Sequence, residues 1–325
     1  MKKHTKVSYL SITLLLFIFF LAGCSKSKTD IAPPPVVPPT DTIIVAPPPA
    51  AVSVFGNGVN LQPSYYNNGN PDFGWSLMKT QSKIKTVRIE IEPGYVTQAT
   101  GWISGAITNG YTVIATYHKY KALGWDDVTE LTAAANWWKT NYATLSAAGP
   151  IIINLMNEWG SHNITADAYA TAYNNAIAIV RTVYSGNIII DIPGYGQETA
   201  TAACAVKGCN AGQTKITDPK IILSAHIYPG GYNQAKGRYM IKTDLDDLAS
   251  ANRTCIIGEF GNDGGSGADW SGIVDYASTK KWAILAWAWN GDGGTMNMVS
   301  PPWVTNSSAT AFTLSPYFNI VYTKL

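Results

Sequence analysis

What most limits the fold of this chain is a rhythm. Short runs rich in β-branched residues recur at 53–61 (SVFGNGVNL), 85–91 (KTVRIEI), 112–118 (TVIATYH), 151–158 (IIINLMNE), 187–193 (NIIIDIP), 221–228 (IILSAHIY), 254–261 (TCIIGEFG) and 283–290 (AILAWAWN). Most are continuously apolar, the pattern of parallel strands covered on both faces. Amphipathic stretches fill most of the gaps. The clearest opens at Asp127, with Glu130 spaced for a capping box, and stops at Gly149-Pro150. Others span about 165–184, 242–251 and 268–280. The Gly- and Cys-containing segment after the fifth run reads as a long loop with a short helix. Eight βα units in one domain predict a (β/α)8 TIM barrel. The competing doubly wound sheet would carry a Gly-rich phosphate turn after strand one, where this chain has NLQPSYYNNGN.

The barrel does not account for the first fifty residues. Lys2, Lys3 and Lys6 precede an apolar stretch from about Tyr9 to Ala22, too short for a comfortable membrane span. It ends Leu21-Ala22-Gly23-Cys24, which resembles a bacterial lipobox with Cys24 as the lipidated residue. An ordinary signal peptide with a chance cysteine is the alternative. The proline-rich stretch that follows cannot support helix or central strand and reads as an extended tether. The expected organisation is a lipoprotein signal over 1–23, a tether over 24–50 and the barrel over 51–325. An exported protein held at the cell envelope by its lipid anchor follows from that reading. Cys204 and Cys209, in TAACAVKGCNAG, are then placed to form a local disulfide, and Cys255 reads as a buried thiol. The net charge of +2, without a basic stripe, argues against a nucleic-acid partner. No cysteine or histidine spacing suggests zinc, and GNDGGSGAD (261–269) lacks the spacing of a calcium loop.

In such barrels the chemistry sits at the C-terminal ends of the strands. Read there, strand two offers Arg88, strand three His118, strand four Asn157-Glu158, strand six His226 and Tyr228, strand seven Glu259, and strand eight Trp287 and Trp289. Residues two apart share a face of a strand, which pairs His226 with Tyr228 and Trp287 with Trp289. Glu158 and Glu259 face each other across the mouth. Two opposed carboxylates suit glycoside hydrolysis, one donating a proton to the leaving oxygen and the other attacking carbon or activating water. A single Glu at a strand end equally well solvates itself or pairs with Arg88, and a single histidine is equally well a satisfied core residue. The coincidence of all of them at one end favours a site. Trp125, Trp159 and Trp303 read as core or as sugar platforms alike.

Taken in order, GNGVNL, VRIEI, ATYH, INLMNEW, IDIPGYGQ, SAHIY, IIGEFG and AWAWNGDGG resemble the clan A glycoside hydrolases of family five. Within that family, IDIPGYGQ and AWAWNGDGG look most like bacterial endo-β-1,4-mannanases. The resemblance implies Glu158 as general acid/base, buried enough at its strand end to stay protonated, and Glu259 as the nucleophile of a retaining mechanism. It implies substrate binding by Asn157, at the sugar 2-hydroxyl, and by His118 and His226 along the cleft. Trp289 would stack under the sugar, while Arg88 and Tyr228 hold Glu259. It implies no cofactor and no metal, and a β-linked polysaccharide or oligosaccharide as partner. An endo-β-1,4-glucanase and a non-catalytic glycan-binding lipoprotein stand as alternatives. Two departures bear on substrate: His118-Lys119 where the mannanases carry His-Asp, and the short loop WGSHNITAD after strand four.

Overall fold

The structure is a computed structural model and describes residues 55–325. The Leu21-Ala22-Gly23-Cys24 stretch and the proline-rich segment, read above as a lipobox and a tether, lie outside the described residues. Eight parallel strands close into a barrel: β1 (Gly58–Leu61), β2 (Thr86–Ile91), β3 (Thr112–Tyr117), β4 (Ile152–Asn154), β5 (Ile188–Asp191), β6 (Ile221–Ile227), β7 (Thr254–Phe260) and β8 (Ala283–Asn290). Each strand pairs with its sequence neighbours, and β8 returns to β1. The TIM barrel read from the eight runs is the observed architecture. Among the described residues no helix is long and apolar enough to cross a membrane.

The helices are α1 (Trp75–Lys79), α2 (Val96–Thr108), α3 (Val128–Leu145), α4 (Ala166–Val180), α5 (Thr199–Lys207), α6 (Leu245–Ala249), α7 (Trp270–Thr279) and α8 (Pro316–Tyr322). Their apolar faces join the outward residues of the strands in one large core. Trp138 of α3 is fully buried there, its indole N–H donating to the Leu155 carbonyl at 2.9 Å. A second, separate cluster is built from Ile114, Ile189, Ile222, Ile256 and Leu285, residues on the alternate register of the strands. These fill the barrel interior towards the strand N-termini. One or two interior positions further along, these strands carry Thr116, Asp191, Ser224 and His226, and β2 adds Arg88, all buried. The barrel is therefore apolar at one end and polar at the other, which is the end where the loops gather.

Several boundaries differ from the sequence reading. β4 stops at Asn154, so Asn157 and Glu158 lie in the turn beyond it rather than on the strand. At α3, Asp127 caps the helix by accepting from Thr129 N at 2.8 Å, but Glu130 turns away to bind Lys119 Nζ at 2.5–2.6 Å. The charged partner in the loop after β3 wins over the reciprocal half of the capping box. The stretch 242–251 is a 3-10 turn (Lys242–Asp244) followed by the short α6. Cys204 and Cys209 are disulfide-bonded, joining the last turn of α5 to the loop that follows it. Cys255 is a buried free thiol whose pKa burial pushes up to about 12.

Candidate active site

At the polar end of the barrel the loops surround a cleft of about 780 Å³. Arg88 is its keystone. This wholly buried guanidinium comes from the middle of β2. Its Nε donates to Asn154 Oδ1 at 2.9 Å, and its Nη1 reaches Asn60 Oδ1, Glu90 Oε1 and Glu259 Oε1 at 2.8–2.9 Å. Its Nη2 donates to Asn157 Oδ1 and lies 3.3 Å from Asp191 Oδ2. A buried cation needs this many acceptors to offset its lost hydration.

Glu259 reaches the cleft through a β-bulge. Between β6 and β7 the register slips one residue, from Ala225↔Ile257 to His226↔Glu259. Ile256 faces the barrel interior and Ile257 the helices. Strict alternation would send residue 259 outward. The extra residue, Gly258, turns it back in, and a Cβ there would sit 2.2 Å from Ser224 Oγ. The Glu259 carboxylate takes Arg88 Nη1 and the Tyr228 hydroxyl, each at 2.8 Å. Burial pushes its pKa up, but His226 and Arg88 outweigh this and, with the Tyr228 hydrogen bond, hold it below that of an ordinary glutamate.

Glu158 is positioned differently. Its φ of 48° is in the left-handed region, uncommon for a residue with a side chain. Neighbouring strands and loops enforce it. Asn157 N donates to the Tyr117 carbonyl, Glu158 N to Asp191 Oδ2 at 3.1 Å, and Gly124 N to the Glu158 carbonyl at 2.7 Å. The side chain is 13 % exposed at the cleft, and His226 Nδ1 lies 2.8 Å from Oε1. One oxygen each of Glu158 and Glu259 and a ring nitrogen of His226 all lie within 4.8 Å of one another.

His226 itself is fully buried beneath the two carboxylates and does not line the cleft, which corrects its place as a substrate-binding residue. Burial disfavours its charge, but Glu259 and Asp191 outweigh that and raise its pKa well above an ordinary histidine. Arg88, likewise, is too deep to touch a ligand and acts through Glu259 and Asn157. His118, Asn157 and Tyr228 do line the cleft.

Trp289 requires the clearest correction. It is fully buried in the helix-facing core, its indole N–H bound to the Phe73 carbonyl at 2.9 Å. The indole at the cleft is Trp287, held by Asp292 Oδ1 at 3.0 Å. Alternation failed here because β8 is irregular opposite β1 between Ala286, paired with Val59, and Asn290, paired with Leu61, and the regular in-out order is lost across that stretch. Of the three uncertain tryptophans, Trp159 and Trp303 are core and Trp125 is exposed.

Sequence reasoning missed Glu90, Gln62, Tyr65 and Asp191. Glu90, buried at the cleft wall, stands two residues from Arg88 on the same strand face, and the VRIE alternation contained that signal. Asp191 ends β5, two residues before the close of the fifth run, and was legible by the rule used for the other strands. His118 sits between Glu90 (Nε2 to Oε2, 3.5 Å) and Glu92 (Nδ1 to Oε1, 3.0 Å), with the Tyr65 hydroxyl also on Glu92. On the other flank Glu198, fully buried, accepts from Gln234 N, Ala235 N and His162, tying together the loops after β4, β5 and β6.

A family model described as cellulase (glycosyl hydrolase family 5) matches residues 61–293. No curated protein sequence matches the chain. Among solved structures, the catalytic domain of a mannanase from Streptomyces sp. SirexAA-E is 19 % identical with a TM-score of 0.64, over 83 % of this chain and 84 % of that one. A mannohexaose complex of Thermomonospora fusca β-mannanase is 23 % identical with a TM-score of 0.61, over 83 % and 89 %. The catalytic domain of a Thermobifida fusca endoglucanase, in complex with cellotetraose, is 14 % identical with a TM-score of 0.64, over 83 % and 91 %.

Proposed function

The chain belongs to glycosyl hydrolase family 5, and from that premise we propose that it is an endo-acting β-1,4-mannanase that works with retention, Glu259 being the nucleophile and Glu158 the general acid and base. The observation that carries this reading is the pair itself. Two carboxyl groups whose oxygens come within 4.8 Å face one cleft. Retaining enzymes hold their carboxyls about 5–5.5 Å apart, and inverting ones about 6.5–9.5 Å, to admit a water.

The surroundings divide the labour. Glu259, kept anionic by Arg88, His226 and the Tyr228 hydroxyl, attacks the anomeric carbon. Glu158 gives its proton to the departing glycosidic oxygen, and the glycosyl–Glu259 ester forms as the C–O bond breaks. Glu158 then takes a proton from water, the water oxygen bonds to the anomeric carbon, and Glu259 departs as carboxylate. Asn157, fixed by Arg88 Nη2, presents its amide to the sugar, and Trp287 offers the ring on which the sugar stacks.

Mannan as the substrate is supported by the IDIPGYGQ and AWAWNGDGG stretches and by the two mannanases among the similar structures. A β-1,4-glucanase is the second reading, favoured by an endoglucanase that superposes equally well. Reducing-end release from mannan, glucomannan, xylan and a soluble cellulose separates them, with Glu259→Ala alongside. Release from mannan that vanishes in the variant supports the proposal. Release from cellulose alone transfers the mechanism to the glucanase, and binding without release from any polymer leaves a glycan-binding protein. The proposal includes an envelope lipoprotein anchored through Cys24, for which the support is the Leu21-Ala22-Gly23-Cys24 sequence. Palmitate labelling lost in Cys24→Ser tests it.

A further inference from the structure

Arg88 Nη1 carries two protons, and three oxygens lie within hydrogen-bond distance of it: Asn60 Oδ1 at 2.9 Å, Glu90 Oε1 at 2.9 Å and Glu259 Oε1 at 2.8 Å. Two of the three are carboxylates, and both border the same cleft. They cannot both claim the full charge of one guanidinium. We propose that Glu90 is a positioning residue for the hydrolysis proposed above: by contending for the same Arg88 nitrogen, it decides through its own protonation how firmly Arg88 holds the nucleophile Glu259.

The wall behind Glu90 is built to accept a protonated carboxyl. Its Oε2 stands 2.6 Å from the Gln62 side-chain amide, short for N–H···O and ordinary for O–H···O. The same amide nitrogen lies 3.4 Å from His118 Nε2. His118 is itself favoured as a cation: burial opposes the charge, but Glu90 and Glu92 outweigh it. An amide N–H facing an imidazolium N–H is donor against donor. Turning the Gln62 amide over, a change invisible to its shape, lets its oxygen accept from both Glu90 and His118. The charged groups facing Glu90 are Arg88 on its own strand, His118 from β3 and Glu259 from β7, while β1 contributes the uncharged Asn60 and Gln62. Burial and the Glu259 charge raise the Glu90 pKa, while His118, Arg88 and a Gln62 N–H donating to Glu90 lower it, and with that donor in place the balance lies at about 7. Below that pH, Glu90 is neutral and Arg88 belongs to Glu259. Above it, Glu90 competes.

Two measurements on the full chain test this. In carboxyl-labelled protein followed by ¹³C NMR, one glutamate titrates near pH 7. That titration is absent from Glu90→Gln, and in Glu259→Gln it moves down by about one pH unit or more, because the repelling charge is gone. A titration unmoved in Glu259→Gln overturns the proposal, and this arm does not depend on turnover. In the pH profile of kcat/KM, Glu90→Gln is fixed in the uncharged form and keeps its activity to higher pH. At pH 8 the wild type has lost about tenfold that the variant retains. An alkaline limb that stays put, or moves to lower pH as it would if Glu90 merely repelled charge on Glu158, overturns the proposal while leaving the hydrolase reading intact. No hydrolysis of any β-1,4-glycan overturns the reading on which it rests.

Discussion

Glu158 and Glu259 are the same side chain in two surroundings, and that difference assigns their tasks. Glu259 has a fixed cation and a hydroxyl on it, while Glu158 has cleft solvent on one side and His226 on the other. If Glu158 supplies the leaving group's proton, Glu158→Ala lowers kcat/KM on polysaccharide, which reports the step up to the glycosyl ester, by roughly 10²–10⁴-fold. The loss is far smaller on an aryl glycoside whose phenolate departs unprotonated. Steady-state rates on the two substrates check this, and equal losses on both contradict it. The tryptophans separate in the same way. Trp289→Ala empties a core site and costs about 3–5 kcal/mol in urea unfolding. Trp287→Ala, at the cleft, leaves the urea midpoint close to wild type and raises KM instead.

At the scale of elements, the site depends on places where regular strands are interrupted. The bulge at Gly258 turns Glu259 inward, and a side chain at 258 collides with Ser224. Gly258→Ala therefore costs about 1–3 kcal/mol of stability through overpacking. It lowers kcat beyond that through displacement of Glu259, and denaturation alongside turnover reads both effects. These interruptions also mark where sequence reading stopped. Barrel, strand order and most strand-end groups were legible because apolar runs and alternation are local signals. Glu90 and Asp191 obeyed the same rules and were passed over. Trp289 was misplaced because a register irregularity in a strand leaves no mark in composition or periodicity; its effect is known only from the partner strand's register. The turn that carries Glu158 past the end of β4 was hidden for a related reason: LM continues the apolar run, and the turn is fixed by long-range bonds from Tyr117, Gly124 and Asp191 that no local signal shows.

Across the whole molecule, the buried ionisable groups of the site should shape stability. Asp191 is pulled down to about 2: burial opposes its charge, but His226 and Arg88 outweigh it. Its unfolded value is about 3.9, so its contribution, about 2 kcal/mol, is complete above pH ~4 and is lost as pH falls towards 2. Glu90 works in the opposite sense. Its raised value favours the folded state most where it is protonated, and that advantage declines as pH rises from about 4.5 to about 7. His226, raised, stabilises below its unfolded value of about 6.5 and loses that contribution only as pH climbs through its higher folded value. The sum predicts a stability maximum at mildly acidic pH, with a decline on both sides. Calorimetric Tm across pH 3–9 checks this, and a maximum at alkaline pH contradicts it.

The central claim is that Glu158 and Glu259 act from opposite sides of one sugar at retaining distance. The most direct test is ¹H NMR of the anomeric protons in the first minutes of mannan hydrolysis, before mutarotation. The account predicts that the β-anomer of the new reducing end appears first and the α-anomer grows in later. An α-anomer formed first means inversion, and it would contradict both the roles assigned to the two carboxylates and the chemistry inferred from their separation.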